Sequence, residues 1–221
     1  MQRPFSNFLL RFLTFFCSRK KNRPSIPQNP KKILICNIAN FGDLIISTTV
    51  LPALKKKFPE SKLGFLAASL PGSAILKDHP LISHVHSLDH WYLQRSKGVC
   101  KAALLHKQTR KKALQEIRKI GYEIAIDLYS YFPNAIPFLH ASKIPVVIGY
   151  PTGGFSKLLT HSMPWSFADL YVGHAHLHLL KQLGIDPAKE SPLPSYNLKK
   201  TTRDHVVVHM GSSSTLKEWD F

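Results

Sequence analysis

Asp43 closes the tetrapeptide Asn40-Phe41-Gly42-Asp43, which follows the apolar run Ile33-Leu34-Ile35-Cys36. It is the first acidic residue of the chain, preceded by eight Lys and Arg and no carboxylate. A carboxylate in a turn between a buried strand and a helix sits where open α/β sheets place ligands, outside the carboxyl ends of the strands. There it can take a proton from an attacking hydroxyl. The N-terminus of the following helix favours the ionised form, which makes Asp43 a charged but weak base. Asp is equally suited to an ordinary N-cap, and the two roles are compatible. Gly42 permits a tight turn or close approach of a substrate. Asn40 can hydrogen-bond a substrate hydroxyl or cap the turn.

Asp127 ends a later apolar run and falls on the same sheet edge as Asp43, where it could orient a substrate or cap the next turn. His174 and His178 share a helix face, with His176 between them. No carboxylate joins the three, so no metal centre is expected. His84 and His86 lie on one face of a strand and read as polar surface. Cys17, Cys36 and Cys100 are widely spaced and odd in number, as in a reducing, cytoplasmic setting.

Thirty Lys and Arg against thirteen Asp and Glu give a formal charge of +17, a field that favours anionic partners. No nucleic acid is expected, because the basic residues are not interleaved with aromatics and no recognised module is present. The basic residues between Arg95 and Lys119 form a solvated face or a docking patch for phosphorylated lipid. Phe5 to Phe16 is apolar around Arg11 and is followed by Arg19, Lys20, Lys21 and Arg23. It is shorter than the roughly 20 residues a spanning helix needs. Residues 1–23 therefore read as a helix in an anionic membrane interface, or as a terminal helix packed on the domain.

The elements that must position these groups alternate. After a proline-bearing linker at 24–30 come strands at Lys32–Cys36, Leu63–Ala67, Ile82–Leu88, Glu123–Leu128 and Val146–Ile148. Between them lie helices at Leu44–Phe58, Gly72–Asp78, Lys101–Ile120 and Asn134–Ala141, and Asp169–Leu183 follows. Pro52 is placed to kink the first helix or restart its register. Gly121 and Gly184 stand where helices end. The alternation implies an α/β fold with a doubly wound parallel sheet over 31–184. Residues 185–204 then read as an interdomain linker, and 205–221 as the opening strand and loop of a second domain in which the chain is truncated early.

The order of several short segments resembles glycosyltransferase family 9, the lipopolysaccharide heptosyltransferases. They are Lys32-Ile33-Leu34-Ile35 before Gly42-Asp43, the Pro52–Pro59 segment, Ile126-Asp127-Leu128 and Val147-Ile148-Gly149-Tyr150. His178, Leu183-Gly184-Ile185, His209-Met210-Gly211 and Lys217-Glu218-Trp219 complete the series. The resemblance implies the N-terminal, Rossmann-like acceptor half of a two-domain, B-type glycosyltransferase. It implies inverting, metal-independent transfer from a nucleotide sugar, ADP-heptose, to a lipid A or lipopolysaccharide core acceptor, with no cofactor. The protein would be peripheral on the cytoplasmic face of the inner membrane. Asp43 matches the family's base. Lys217, with Ser212 and Ser213, matches the groups that receive charge on the departing ADP. Lys217 also reads as a solvated surface lysine, as most lysines are. Asn37 departs from the pattern, standing where many relatives carry a basic residue. The different-class alternative is an incomplete fragment that only binds anionic lipid or glycan.

Overall fold

In a parallel sheet covered by helices on both faces, strands have no polar side, so they read as unbroken apolar runs. The computed structural model describes residues 23–68, 73–90, 98–131, 134–166, 170–196, 206 and 208. Its strands are β1 (Lys32–Asn37), β2 (Lys62–Ala67), β3 (Ile82–Ser87), β4 (Ile124–Asp127), β5 (Val146–Gly149) and β6 (His161–Ser162). They form one parallel sheet in the order β3-β2-β1-β4-β5-β6. The helices are α1 (Phe41–Ser47), α2 (Val50–Lys57), α3 (Ser73–Lys77), α4 (Val99–Ile120), α5 (Ile136–Ala141) and α6 (Val172–Leu179). The Rossmann-like α/β architecture is thus present.

Alternate strand residues point to opposite faces and divide the core in two. Ile33, Ile35, Leu63, Phe65, Ile124 and Ile126 pack under α1, α2, α3 and α6. Leu34, Cys36, Leu66, Ala125 and Val147 pack under α4 and α5, through Ala113, Ile117, Phe138 and Leu139. Gly121 ends α4 in the left-handed conformation at φ 71°, its N–H returning to the Ile117 carbonyl.

The segment expected as one helix over 44–58 is two. Pro52 has no N–H for the Thr48 carbonyl, and its ring crowds that carbonyl. The chain breaks at Thr48-Thr49, whose hydroxyls donate back to the carbonyls of Ile45 and Ile46 at 2.7 and 2.5 Å. The helix expected over 169–183 is α-helical at Val172–Leu179 and tightens to a 3-10 turn at Leu180–Leu183. β6 was not foreseen, since two residues carry no periodicity. Residues of the segment read as a linker return to the α1–α2 break. The Ser195 N–H donates to Thr48 Oγ1 at 2.9 Å, and Thr49 Oγ1 donates to the Pro192 carbonyl at 3.3 Å.

His86 is a correction. It is 3% exposed rather than on the surface, with Nδ1 2.8 Å from Glu116 Oε2 and Nε2 2.9 Å from Tyr122 Oη. Helix α4 covers that face of β3, and its Glu116 supplies the partner a buried imidazole requires. Gly64 makes room for this arrangement, because a Cβ there would lie 1.9 Å from Tyr122 Oη.

Candidate functional site

The strand order reverses between β1 and β4: the chain moves from β1 outward to β2 and β3, then crosses back to place β4 on the other side of β1. Cys36 pairs with Asp127 at this boundary. The crevice outside the carboxyl ends at such a switch point is the ligand position of open α/β sheets. Asp43 rises from one side of it and the segment after Asp127 from the other.

On the β1 side, Asn37 is 1% exposed and fully engaged. Its Nδ2 donates to Ser47 Oγ at 2.6 Å and to the Asp43 carbonyl at 3.3 Å, while Oδ1 accepts from the Ala39 N–H at 3.0 Å. Ser47 Oγ in turn donates to the Asp43 carbonyl at 2.7 Å. The first turn of α1 is therefore tied to the end of β1 by side chains. Asp43 is half-buried, and its Oδ2 accepts the Asn40 N–H at 3.1 Å. That is the carboxylate half of a capping box, and it fixes the orientation of the side chain. Gly42 has open space around its Cα, with nothing within 4 Å of a Cβ placed there. Asn40 and Phe41 beside it are exposed.

On the β4 side, Asp127 is 1% exposed. Its oxygens accept from the Tyr129 N–H at 3.4 Å and the Ala135 N–H at 3.2 Å. This is the turn-capping arrangement of the two open at the sequence level. Burial pushes its carboxyl up to about 7, against the pull of the two backbone donors. The same burial, aided by the Asp127 carboxylate, raises the Cys36 thiol well above its ordinary range. Cys36 is thus an inert core group.

The turn capped by Asp127 carries Tyr129, which sequence reasoning missed. It is half-buried, and its hydroxyl is raised by burial first, then by the Asp43 carboxylate and by Tyr131. Asp43 and Tyr129 thus lie on opposite sides of the switch, close enough for the charge of one to act on the other. The signal was the pair of tyrosines in Tyr129-Ser130-Tyr131, immediately past a strand end.

His176 is 2% exposed on α6, hydrogen-bonded to the Ile46 carbonyl of α1, with Nδ1 lacking a partner among the described residues. Burial lowers it to about 4. His174 is exposed and His178 half-buried on the same helix. A groove of about 970 Å3, lined by Arg23, His140, Lys143 and Lys157 among others, borders β5 and β6, and no switch-point residue lines it. Lys217, Ser212 and Ser213 lie outside the described residues, as do residues 1–22. Among the described residues no helix is long and apolar enough to cross a membrane.

No family model and no curated protein matches the sequence. Solved structures do match the fold. A glycosyltransferase family 9 protein from Veillonella parvula is 16% identical with a TM-score of 0.66, covering 89% of this chain and 57% of that one. The Escherichia coli heptosyltransferase WaaC, solved with ADP, is 14% identical with a TM-score of 0.56, covering 72% of this chain and 49% of its own. The E. coli ADP-heptose lipopolysaccharide heptosyltransferase II is 15% identical with a TM-score of 0.54, covering 76% and 47%. The chain spans about half the length of these structures. A six-stranded parallel sheet with its switch point between β1 and β4, matched by these neighbours, gives this chain the fold of glycosyltransferase family 9 and its heptosyltransferases.

Proposed function

We propose that this chain supplies the acceptor side of an inverting, metal-independent sugar transfer from ADP-heptose to a lipopolysaccharide core acceptor. The observation that carries the reading is Asp43, a half-buried carboxylate oriented by the Asn40 N–H at the switch point. It sits on a sheet whose structural neighbours include a heptosyltransferase solved with ADP. In the proposed step the acceptor hydroxyl oxygen bonds to the anomeric carbon as the bond from that carbon to the ADP phosphate oxygen breaks. Asp43 takes the hydroxyl proton, and ADP leaves with the electron pair. A single displacement of this kind inverts the anomeric centre. Lys217, Ser212 and Ser213 would receive the charge that develops on the departing diphosphate. Acceptors of this class are lipid-anchored, which fits a peripheral position on the cytoplasmic face of the inner membrane.

The test is transfer of labelled heptose from ADP-heptose to delipidated core oligosaccharide by the protein and its Asp43→Asn variant. Asn keeps an oxygen for the Asn40 N–H, so the fold is retained. Loss of a general base lowers turnover by about 10²- to 10⁴-fold. Variant turnover equal to wild type would refute the assignment of Asp43.

A second reading, binding of an anionic lipid or glycan without transfer, is favoured by α4. Its exposed cations are Lys101, Lys107, Arg110, Lys111, Lys112, Arg118 and Lys119, while its one carboxylate, Glu116, contacts the buried His86. The same assay separates the readings, since this one yields a bound acceptor and no product.

A further inference from the structure

Four aromatic residues from three different segments meet at the carboxyl edge of the sheet. Tyr129 and Tyr131 follow β4, Tyr150 follows β5 and Trp165 follows β6. Their rings form a continuous edge-to-face series, with centroids 5.9 Å apart for Tyr129–Tyr131, 6.1 Å for Tyr131–Trp165 and 4.8 Å for Tyr150–Trp165. One end is core: Tyr150 is 2% exposed and donates to the Ala175 carbonyl at 2.6 Å. The other end opens outward. Tyr131 is 48% exposed, while Tyr129 and Trp165 are half-buried.

A large aromatic left in water is unremarkable when it is free to move. Tyr131 is held. Ser130 beside it is buried, and its carbonyl accepts the Thr152 hydroxyl. Asp127 caps the turn through the Tyr129 and Ala135 N–H groups, and Asn134 Nδ2 donates to the Gly153 carbonyl at 3.3 Å. Hydrogen bonds thus tie described residues on either side of Tyr131 to the segment after β5, which positions its backbone before any ligand arrives. Of the four rings Tyr131 is the most exposed, so it is the one a ligand can reach.

We propose that Tyr131, backed by Trp165 and continued by Tyr129, is a stacking subsite for a sugar ring of the acceptor. The electron-rich face of an aromatic ring attracts partial positive charge, which the axial C–H groups of a pyranose present as a patch. Hydroxyls at the rim of the sugar remain available for polar groups. The series runs from Tyr131 to Tyr129, which lies across the switch from Asp43. A ring stacked on Tyr131 therefore lies beside Tyr129, whose hydroxyl feels the charge of the Asp43 carboxylate proposed as the base. The inference rests on the glycosyl-transfer reading and names where the acceptor is held.

The experiment is calorimetric titration of the full chain with delipidated core oligosaccharide from lipopolysaccharide, for wild type, Tyr131→Ala and Tyr131→Phe. An exposed residue can be truncated with the fold intact, which near-ultraviolet circular dichroism of each variant monitors. The expected result is affinity weakened about tenfold or more in Tyr131→Ala and kept within about twofold in Tyr131→Phe. Equal affinity of Tyr131→Ala and wild type overturns the subsite and leaves the transfer reading standing. Equal losses in both variants overturn stacking, because the hydroxyl and not the ring is then the contact. Absence of oligosaccharide binding by wild type overturns the subsite together with the acceptor-side reading.

Discussion

The buried amide of Asn37 donates to the hydroxyl of Ser47 at 2.6 Å, across the junction of β1 and α1. Both groups also donate to the Asp43 carbonyl, so the backbone of the candidate base is held by two side chains rather than by loop conformation. A candidate base with its backbone anchored in this way is positioned before substrate arrives, as general-base geometry requires.

Replacing Asn37 by Leu fills the space and leaves the Ala39 N–H and Ser47 hydroxyl without their buried partner. The expected cost is about 1–3 kcal/mol, read as a lowered denaturation midpoint. A midpoint equal to wild type would show that the amide is dispensable to the junction.

Asp127 titrates near 7 in the folded chain against 3.8 ordinarily, because burial disfavours its charge. The folded state therefore holds the proton longer than the unfolded chain as pH rises. Its contribution to stability falls between about pH 4 and 7, with a slope of up to about 1.4 kcal/mol per pH unit. In Asp127→Asn that slope disappears, and denaturant titrations across this range should show stability rising with pH instead. A variant profile parallel to wild type would contradict this.

His176 has the opposite sign. Its folded value near 4 lies below the ordinary 6.5, so the unfolded chain takes up the proton first as pH falls. Stability from this group is complete above about pH 6.5 and is lost toward pH 4, again by up to about 1.4 kcal/mol per pH unit. The two contributions oppose each other over most of this range. His176→Leu should therefore lessen the rise of stability with pH between about 4 and 6.5 relative to wild type, while His79, His86, His90, His161 and His178, also lowered by burial, retain their share of it. Unchanged pH dependence in the variant would place the acid sensitivity elsewhere.

Local chemistry made much of this fold legible. Strands buried on both faces must be largely apolar, so β1, β2, β4 and β5 announce themselves as short apolar runs. Gly121 marks the end of α4 because a left-handed residue is needed there. The junction of β1 and α1 was visible, although Asn40 is its N-cap and Asp43 falls in the first turn of the helix rather than before it, and Pro52 signalled the break in the helix after it. The exact position of that break was not visible, since it depends on the Thr48 and Thr49 hydroxyls turning back to the helix they end.

Sequence by itself determined the alternation of strand and helix and set Asp43 at a strand end, because periodicity and turn chemistry act over a few residues. Tertiary structure decided that β4 lies beside β1, and with it everything that depends on distant segments meeting. That pairing brings Tyr129 within reach of the Asp43 charge, buries Asp127 as the cap of its turn, and gathers Tyr131 and Trp165 into one aromatic series. It also lets α4 cover His86. Strand order is settled by how crossover helices share the two faces of the sheet. No local pattern records that competition, so these partners appear only once the sheet is formed.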